Sequence, residues 1–361
     1  MSGGVKKTRQ VSQKIESSNM TRRQLLGVIA SLPFVRVAES ADIKNDRVDQ
    51  AMERGADYLL NAQQPNGEFS SKMSDTMTAL GIMALASMGH QPSDPGKYGR
   101  VLRQALNFIL REKPSRYYEN DPKLVYFGAD GSRMYGHGIT TLCLTEMLGM
   151  GVGKEQDTRL REVCKKALSL ILRSQKVIKG NRFKGGWRYS PASRDSDLSI
   201  TAWQLLALRS GRGAGMDVPK ESIDLAVRYL KGSYISRGNE KGCAYMPGRR
   251  SSLAMAAAGL LSLQVCGEYD SPEAKGSAEW LSSQNVIGGS HFYYSTYYYS
   301  QAMQKQGKVM AKKAREIVEK ALLKKQQKNG SWNGNYGSVY CTSMAMLSLS
   351  VKYHYLPIYQ H

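Results

Sequence analysis

The chain has 361 residues, 51 of them Lys or Arg against 30 Asp or Glu, a formal net charge of +21, and 41% apolar side chains. That length suits one large domain or two ordinary ones, and the apolar share is that of a packed globular protein. The basic residues are scattered, and without zinc-finger spacing or a nucleic-acid motif the charge makes no case for DNA or RNA as a partner. Five cysteines (Cys143, Cys164, Cys243, Cys266, Cys341) lie far apart without CxxC spacing, which excludes a disulfide framework and leaves them as small buried apolar residues.

The first twenty residues are polar, and residues 21–41 then read TRRQLLGVIASLPFVRVAESA. Thr21-Arg22-Arg23 with Leu25-Leu26 resembles a twin-arginine export signal, and Ala38-Glu39-Ser40 offers a small-x-small cleavage site. The apolar stretch from Val28 to Val35 is too short to span a bilayer. The expected organisation is an export signal and tail over 1–41 and one domain over 42–361, with the mature protein periplasmic or secreted. The alternative is a disordered basic tail on a cytoplasmic protein.

From residue 50 onward a unit repeats. A helix-like segment ending in Gln leads through a Gly-rich aromatic turn into a second, more apolar helix: GADYLLNAQQPNGEF then DTMTALGIMALASMG at the start, KALLKKQQKNGSW then VYCTSMAMLSLSV at the end. Six such units follow one another at the spacing of a helix-pair repeat. First helices are amphipathic, with apolar residues at i, i+3 and i+4 such as Ala56, Leu59 and Leu60. Second helices are apolar on nearly all sides, as in Ala256-Ala257-Ala258-Gly259-Leu260-Leu261, and must be enclosed by protein. Six amphipathic helices outside six enclosed ones predict an all-α protein, an α/α toroid. The Tyr-rich stretch 293–299 is the one segment ambiguous with strand. Two basic clusters, Lys312-Lys313 with Arg315 and Lys324-Lys325 with Lys328, fit solvated helix faces; attraction to an anionic membrane surface is the sharper alternative.

Gln63-x-x-x-Gly67-x-Phe69 and Gln326-x-x-x-Gly330-x-Trp332 share one spacing, Gln284-x-x-x-Gly288 continues it, and Gln175 leads after an insertion to Gly185-Gly186-Trp187. Physically, Gln can bond backbone groups left open at helix ends, Gly permits a tight turn, and the ring packs over it. The pattern resembles the QW repeat of squalene and hopene cyclases, shared more loosely by protein prenyltransferase β subunits, and covers about residues 50–355. The closing VKYHYLPIY is similar to the end of bacterial repeat proteins of this type with unassigned function. The resemblance implies a central cavity for an isoprenoid or other large apolar ligand.

Aligning the second helices by their apolar pattern superposes Thr78, Thr201 and Thr342. Asp75, His137, Leu198 and Val339 then fall at one level, with Ser74, Asp197, Ser252 and Ser338 one residue earlier, where helix dipoles favour an anion or a carboxylate. The class II terpene cyclases carry Asp-x-Asp-Asp, whose middle carboxyl is held protonated and donates to an alkene. Asp195-Ser196-Asp197-Leu198 matches its first two acids, which implies Asp197 as proton donor and Asp195 as its partner, with Leu198 in place of the third. Helix capping by Asp195, Ser196 or Asp197, as by Ser74 or Asp75 in the first unit, accounts for the same residues. Asp75, His137, Trp203, Arg250, Tyr294 and Tyr298 are the candidate ligand contacts: polar groups at the rim, aromatic faces that stabilise cations, and an arginine for a diphosphate. No cofactor and no metal is expected. Cys341 matches one zinc ligand of the prenyltransferases, but their Asp-x-Cys pair has no counterpart. The expected function is binding or transformation of an isoprenoid in the cavity; a non-catalytic toroid for protein interaction is the alternative.

Overall fold

The computed structural model describes residues 46–118, 120–284, 289, 291–353 and 355–360. The expected export signal and the Gly288 turn position lie outside these residues. Twelve helices among the described residues alternate between two kinds. The first kind comprises α1 (Arg47–Ala62), α3 (Lys97–Leu110), α5 (Gly153–Gln175), α7 (Lys220–Gly232), α9 (Pro272–Ser282) and α11 (Lys308–Leu323). The second comprises α2 (Ser74–Ala86), α4 (Arg133–Glu146), α6 (Leu198–Gly213), α8 (Leu253–Val265), α10 (Phe292–Gln304) and α12 (Ser338–Leu349).

The burial pattern follows from composition. Helix α1 buries Ala51, Met52, Gly55, Ala56 and Leu59, a single stripe, whereas every residue of α8 from Met255 to Val265 is buried. A helix without a polar face stays in water only if other helices surround it. Accordingly α2 packs on α4, α4 on α6, α6 on α8, α8 on α10, α10 on α12, and α12 back on α2. The ring of inner helices is closed, and the six amphipathic helices lie outside it. This is the expected α/α toroid.

The Gln-Gly-aromatic turn is the hinge of each complete repeat. Gln63 Nε2 donates to the Gly67 carbonyl at 3.1 Å and to the Val101 carbonyl of α3 at 2.9 Å. Gln175 does the same to Gly185 and to Ser222 of α7, and Gln326 to Gly330 and to Ala51 of α1. Each glutamine therefore ties its own turn to the next outer helix, and the last one closes the ring. The glycines have φ of +96°, +91° and +85°, and a Cβ on Gly67, Gly185 or Gly330 would lie 2.4, 2.1 or 2.2 Å from a carbonyl oxygen of that next helix. The indoles of Trp187 and Trp332 donate back to Ile171 and Leu322, both at 2.8 Å. The backbone N–H groups of Phe69, Trp187 and Trp332 reach Thr78, Thr201 and Thr342, the three threonines that the sequence superposes.

Two details depart from expectation, and the one ambiguous segment resolves as helix. A two-stranded antiparallel hairpin, β1 (Tyr234–Arg237) with β2 (Glu240–Cys243), fills the α7–α8 connection, with Arg237 opposite Glu240 and Gly238 at φ +57° in the turn. The Tyr-rich stretch is helix α10. Among the described residues Gln284 bonds within its own segment, to Trp280 and Ser283, and not across to the next outer helix as Gln63 does. After α12 the chain crosses the far side of the ring, where Ile358 N–H donates to Glu146 Oε2 at 3.1 Å and the Tyr359 hydroxyl meets that of Tyr297.

Candidate functional site

The inner helices begin around the mouth of a cavity of about 1300 Å³. Its wall is built from their first two turns: Thr76 and Met77 from α2, Tyr135 and Ile139 from α4, Ser199 and Trp203 from α6, Ala254 and Met255 from α8, Tyr294 from α10 and Tyr340 from α12. Phe69, Tyr189, Tyr245 and Tyr336 add rings from the preceding turns. The described lining includes nine Phe, Trp and Tyr side chains and neither Asp nor Glu; its one lysine is Lys72. Below Trp203 the ring is filled, because its indole stacks on Tyr297 at 5.5 Å and against Tyr298, both fully buried.

Hydroxyl groups form short chains on this wall. Ser199 Oγ bridges the Tyr135 and Tyr294 hydroxyls at 2.6 and 2.7 Å. Tyr189 and Tyr245 are joined at 2.7 Å, and Tyr336 meets His291 Nδ1 at 2.9 Å. Burial pushes the Tyr135, Tyr245 and Tyr294 phenols above their ordinary range, so they remain neutral donors and acceptors.

Asp197 caps α6. Its Oδ1 accepts the Ile200 N–H at 2.9 Å, and its own N–H donates to the Trp187 carbonyl at 2.9 Å. The residue is fully buried. Burial pushes its carboxyl up to about 6, against the lowering pull of the Ile200 amide, of Arg188 and of the neighbouring Tyr245 hydroxyl. Arg188 holds Asp195 at 2.8 Å and stands 4.0 Å from Asp197 Oδ2. The pair is therefore assembled, but neither aspartate lines the cavity. Asp197 Oδ2 is buried without a hydrogen-bond partner among the described residues, and Tyr245, whose hydroxyl acts on this carboxyl, is on the wall.

Of the other candidates, Trp203 and Tyr294 line the cavity, and Asp75, His137, Tyr298 and Arg250 do not. Asp75 is fully buried, accepting from Arg111 at 2.8 Å and Lys113 Nζ at 2.5 Å. It does not cap α2 either, since Met73 occupies that position at φ +48° without a side-chain bond. His137 accepts the Phe127 N–H on Nδ1 at 3.3 Å and faces the Ala167 carbonyl with Nε2 at 3.2 Å. Burial drives its pKa down to about 3, so it is a neutral brace between α4 and α5. Tyr298 sits beneath Trp203. Arg250 points to solvent with an 89% exposed side chain, paired with Glu240. Cys341 is buried, and no cluster of three potential metal ligands occurs among the described residues.

The residues that sequence reasoning missed were one step away. Thr76, Ser199, Ala254 and Tyr340 line the wall, and each follows a position of the aligned level by one or two residues. The aligned levels themselves are split: Ser252, Ser338 and Val339 line the cavity, whereas Asp75, His137, Asp197 and Leu198, about 100° of helix per residue away from wall positions, are buried behind it.

No protein-family model matches the chain, and no curated protein matches it. Solved structures do. An α-1,6-mannanase of Salegentibacter sp. HEL1_6, an inactive double-aspartate variant in complex with α-1,6-mannotriose, is 11% identical over 84% of this chain and 98% of its own, with a TM-score of 0.61. The type II terpene cyclase MstE from Scytonema is 16% identical over 84% and 97%, with a TM-score of 0.53. Its variant in complex with geranylgeranyl dihydroxybenzoate is 15% identical over 86% and 97%, with a TM-score of 0.52. At these identities the likeness is one of fold: the chain is an α/α toroid like the terpenoid cyclase and the mannanase.

Proposed function

We propose that the cavity binds a large apolar ligand of isoprenoid type. The observation that carries this is the wall itself, aromatic rings and methionines without a carboxylate in its described lining. Glycoside hydrolysis in its usual form needs two carboxyl groups flanking the scissile bond, and this wall supplies none. An apolar chain gains from every ring it covers, and about 1300 Å³ exceeds the roughly 300–1,000 Å³ of ordinary small-molecule pockets. The hydroxyl chains of Ser199 and Tyr189 give such a ligand polar anchors for an oxygenated end. Titrating the protein with a C20 polyprenyl alcohol and with α-1,6-mannotriose, followed by tryptophan fluorescence and native mass spectrometry, decides between the two. Saturable binding of the prenyl alcohol alone is expected, diminished by about tenfold or more in Trp203→Ala; binding of the sugar alone overturns the reading.

Asp197 favours a finer version, in which the bound ligand is protonated and cyclised. A carboxyl raised to about 6 is a competent donor near neutral pH, and in this version a turn of the Tyr245 hydroxyl from Tyr189 to the unpartnered Asp197 Oδ2 completes the path to the cavity. In that version Asp197→Asn and Tyr245→Phe each abolish product formation while leaving prenyl-alcohol affinity within about twofold. Product formed at the parental rate by both variants overturns the acid role and leaves a binding protein.

A further inference from the structure

The two rims of the ring differ in charge. Six segments join an outer helix to the following inner helix (63–73, 111–132, 176–197, 233–252, 283–291 and 324–337), and their described residues lie on the mouth side, since inner helices start there. Together they carry 18 Lys and Arg against eight Asp and Glu, a net +10. The segments on the opposite rim (87–96, 147–152, 214–219, 266–271, 305–307 and 350–361) carry two against four, a net −2. Four of the eight acids at the mouth stand in ion pairs, Asp121 with Arg173, Asp195 and Asp197 with Arg188, and Glu240 with Arg250, while Asp75 in α2 beneath them takes Arg111 and Lys113. Lys176, Arg182, Lys184, Arg249, Lys324 and Lys328 are exposed and make no ion pair among the described residues.

The 176–184 segment adds an apolar tip. Ile178 is 89% exposed between Lys176 and Lys179, and Lys179 is buried, its Nζ tying the loop to the carbonyls of Ser174 and Gly186 at 3.2 and 2.8 Å. Met73 and Tyr336, also exposed, stand at the cavity entrance on the same face. We propose that the mouth of the ring is a docking face for an anionic lipid bilayer. Charge complementarity draws this rim and not the other to acidic headgroups, and the exposed side chains fit the boundary of headgroup and acyl chain. A nucleic acid would use the cations but offers nothing to Ile178. Docked this way, the cavity opens towards the membrane, where apolar molecules are dissolved. The inference goes beyond the ligand reading and does not depend on it.

The test is co-sedimentation of the purified protein with vesicles of phosphatidylcholine alone and with one third of the lipid replaced by phosphatidylglycerol, at low and at half-molar salt. Binding to the anionic vesicles is expected, falling by about tenfold or more at high salt because exposed charges are screened. Lys176→Glu with Arg182→Glu and Lys184→Glu removes it by a similar factor, and Ile178→Asp weakens it severalfold at unchanged salt dependence. Lys308→Glu with Lys312→Glu and Lys313→Glu, on α11 at the opposite rim beside the exposed Val309, leaves it unchanged. A thermal melt of each variant checks that it folds. Equal binding to both vesicle types, loss in the α11 variant in place of the mouth variant, or displacement of the vesicles by a DNA duplex at equal charge overturns the proposal.

Discussion

Asp197 and His137 are both buried, and burial acts on them in opposite directions. The Asp197 carboxyl is raised from 3.8 to about 6, so between these values the folded state holds a proton that the unfolded chain has released, and stability falls as pH rises through the window. His137 is lowered from 6.5 to about 3, so below 6.5 the unfolded chain takes up a proton that the folded protein refuses, and stability falls as pH drops. The two slopes oppose each other between about pH 4 and 6. Asn caps a helix as well as Asp does, so Asp197→Asn removes one slope and keeps the cap. At pH 8 the variant is expected to be more stable by about 1–3 kcal/mol, the advantage vanishing towards pH 4, as read by thermal melts across pH. A variant less stable than its parent at pH 8 refutes the burial account of Asp197. These two residues also show how far the site was legible. Both were placed at the rim from the sequence, but a residue type and a helix level do not say which way a side chain turns. Asp75 and His137 had partners in α3-side and α5-side segments that are remote in sequence, so their satisfaction inside the core could not be read from the chain.

At the scale of elements, the repeat turn was the most legible part, because its chemistry is local: Gln, Gly and a ring within seven residues. What sequence could not supply is the second job of the glycine, the close approach of the next outer helix. Two glycines with similar φ separate the two jobs. Gly215, at φ +77°, has open space where a Cβ would stand, whereas a Cβ on Gly185 would lie 2.1 Å from the Leu225 carbonyl oxygen. Gly215→Ala is expected to lose about 1 kcal/mol, the cost of a left-handed backbone alone. Gly185→Ala adds a backbone collision and is expected to lose well over about 2 kcal/mol, measured by urea unfolding; equal losses refute the close-approach role. Gln175→Ala, which strands the buried Gly185 and Ser222 carbonyls, falls in the same range. The hairpin was missed for a different reason: the eight residues of β1 and β2 bury only one or two positions per strand, so no apolar alternation marks them. The Arg237-Gly238-Asn239-Glu240 turn was the available signal.

For the whole molecule, closure is the property that matters, and it is held at two places. Gln326 bonds Ala51 across the length of the sequence, and Lys352 Nζ reaches Asp46 at 3.0 Å and Asp49 at 2.7 Å, so both ends of the described chain are fastened at the α12–α1 seam. Closure was implied by inner helices without a polar face. The role of the last residues was not, since 353–360 has no helical period. They lie under the ring: Leu356, Ile358 and Tyr359 are buried, Ile358 N–H satisfies Glu146, and Tyr359 meets Tyr297, the ring on which Trp203 stacks. The segment is thus the base on which the cavity floor rests. Ending the chain after Lys352 keeps the seam and removes the base. Three buried apolar side chains, at about 1.5–3 kcal/mol each, set the expected loss at about 5 kcal/mol or more. Tyr359→Phe, which deletes only a hydroxyl, loses about 1 kcal/mol. Because Tyr297 and Trp203 share the floor, the truncation is also expected to weaken prenyl-alcohol binding in the fluorescence titration, while Tyr359→Phe leaves it unchanged. A truncated protein that melts like its parent and binds as tightly would show that the floor stands on the inner helices alone.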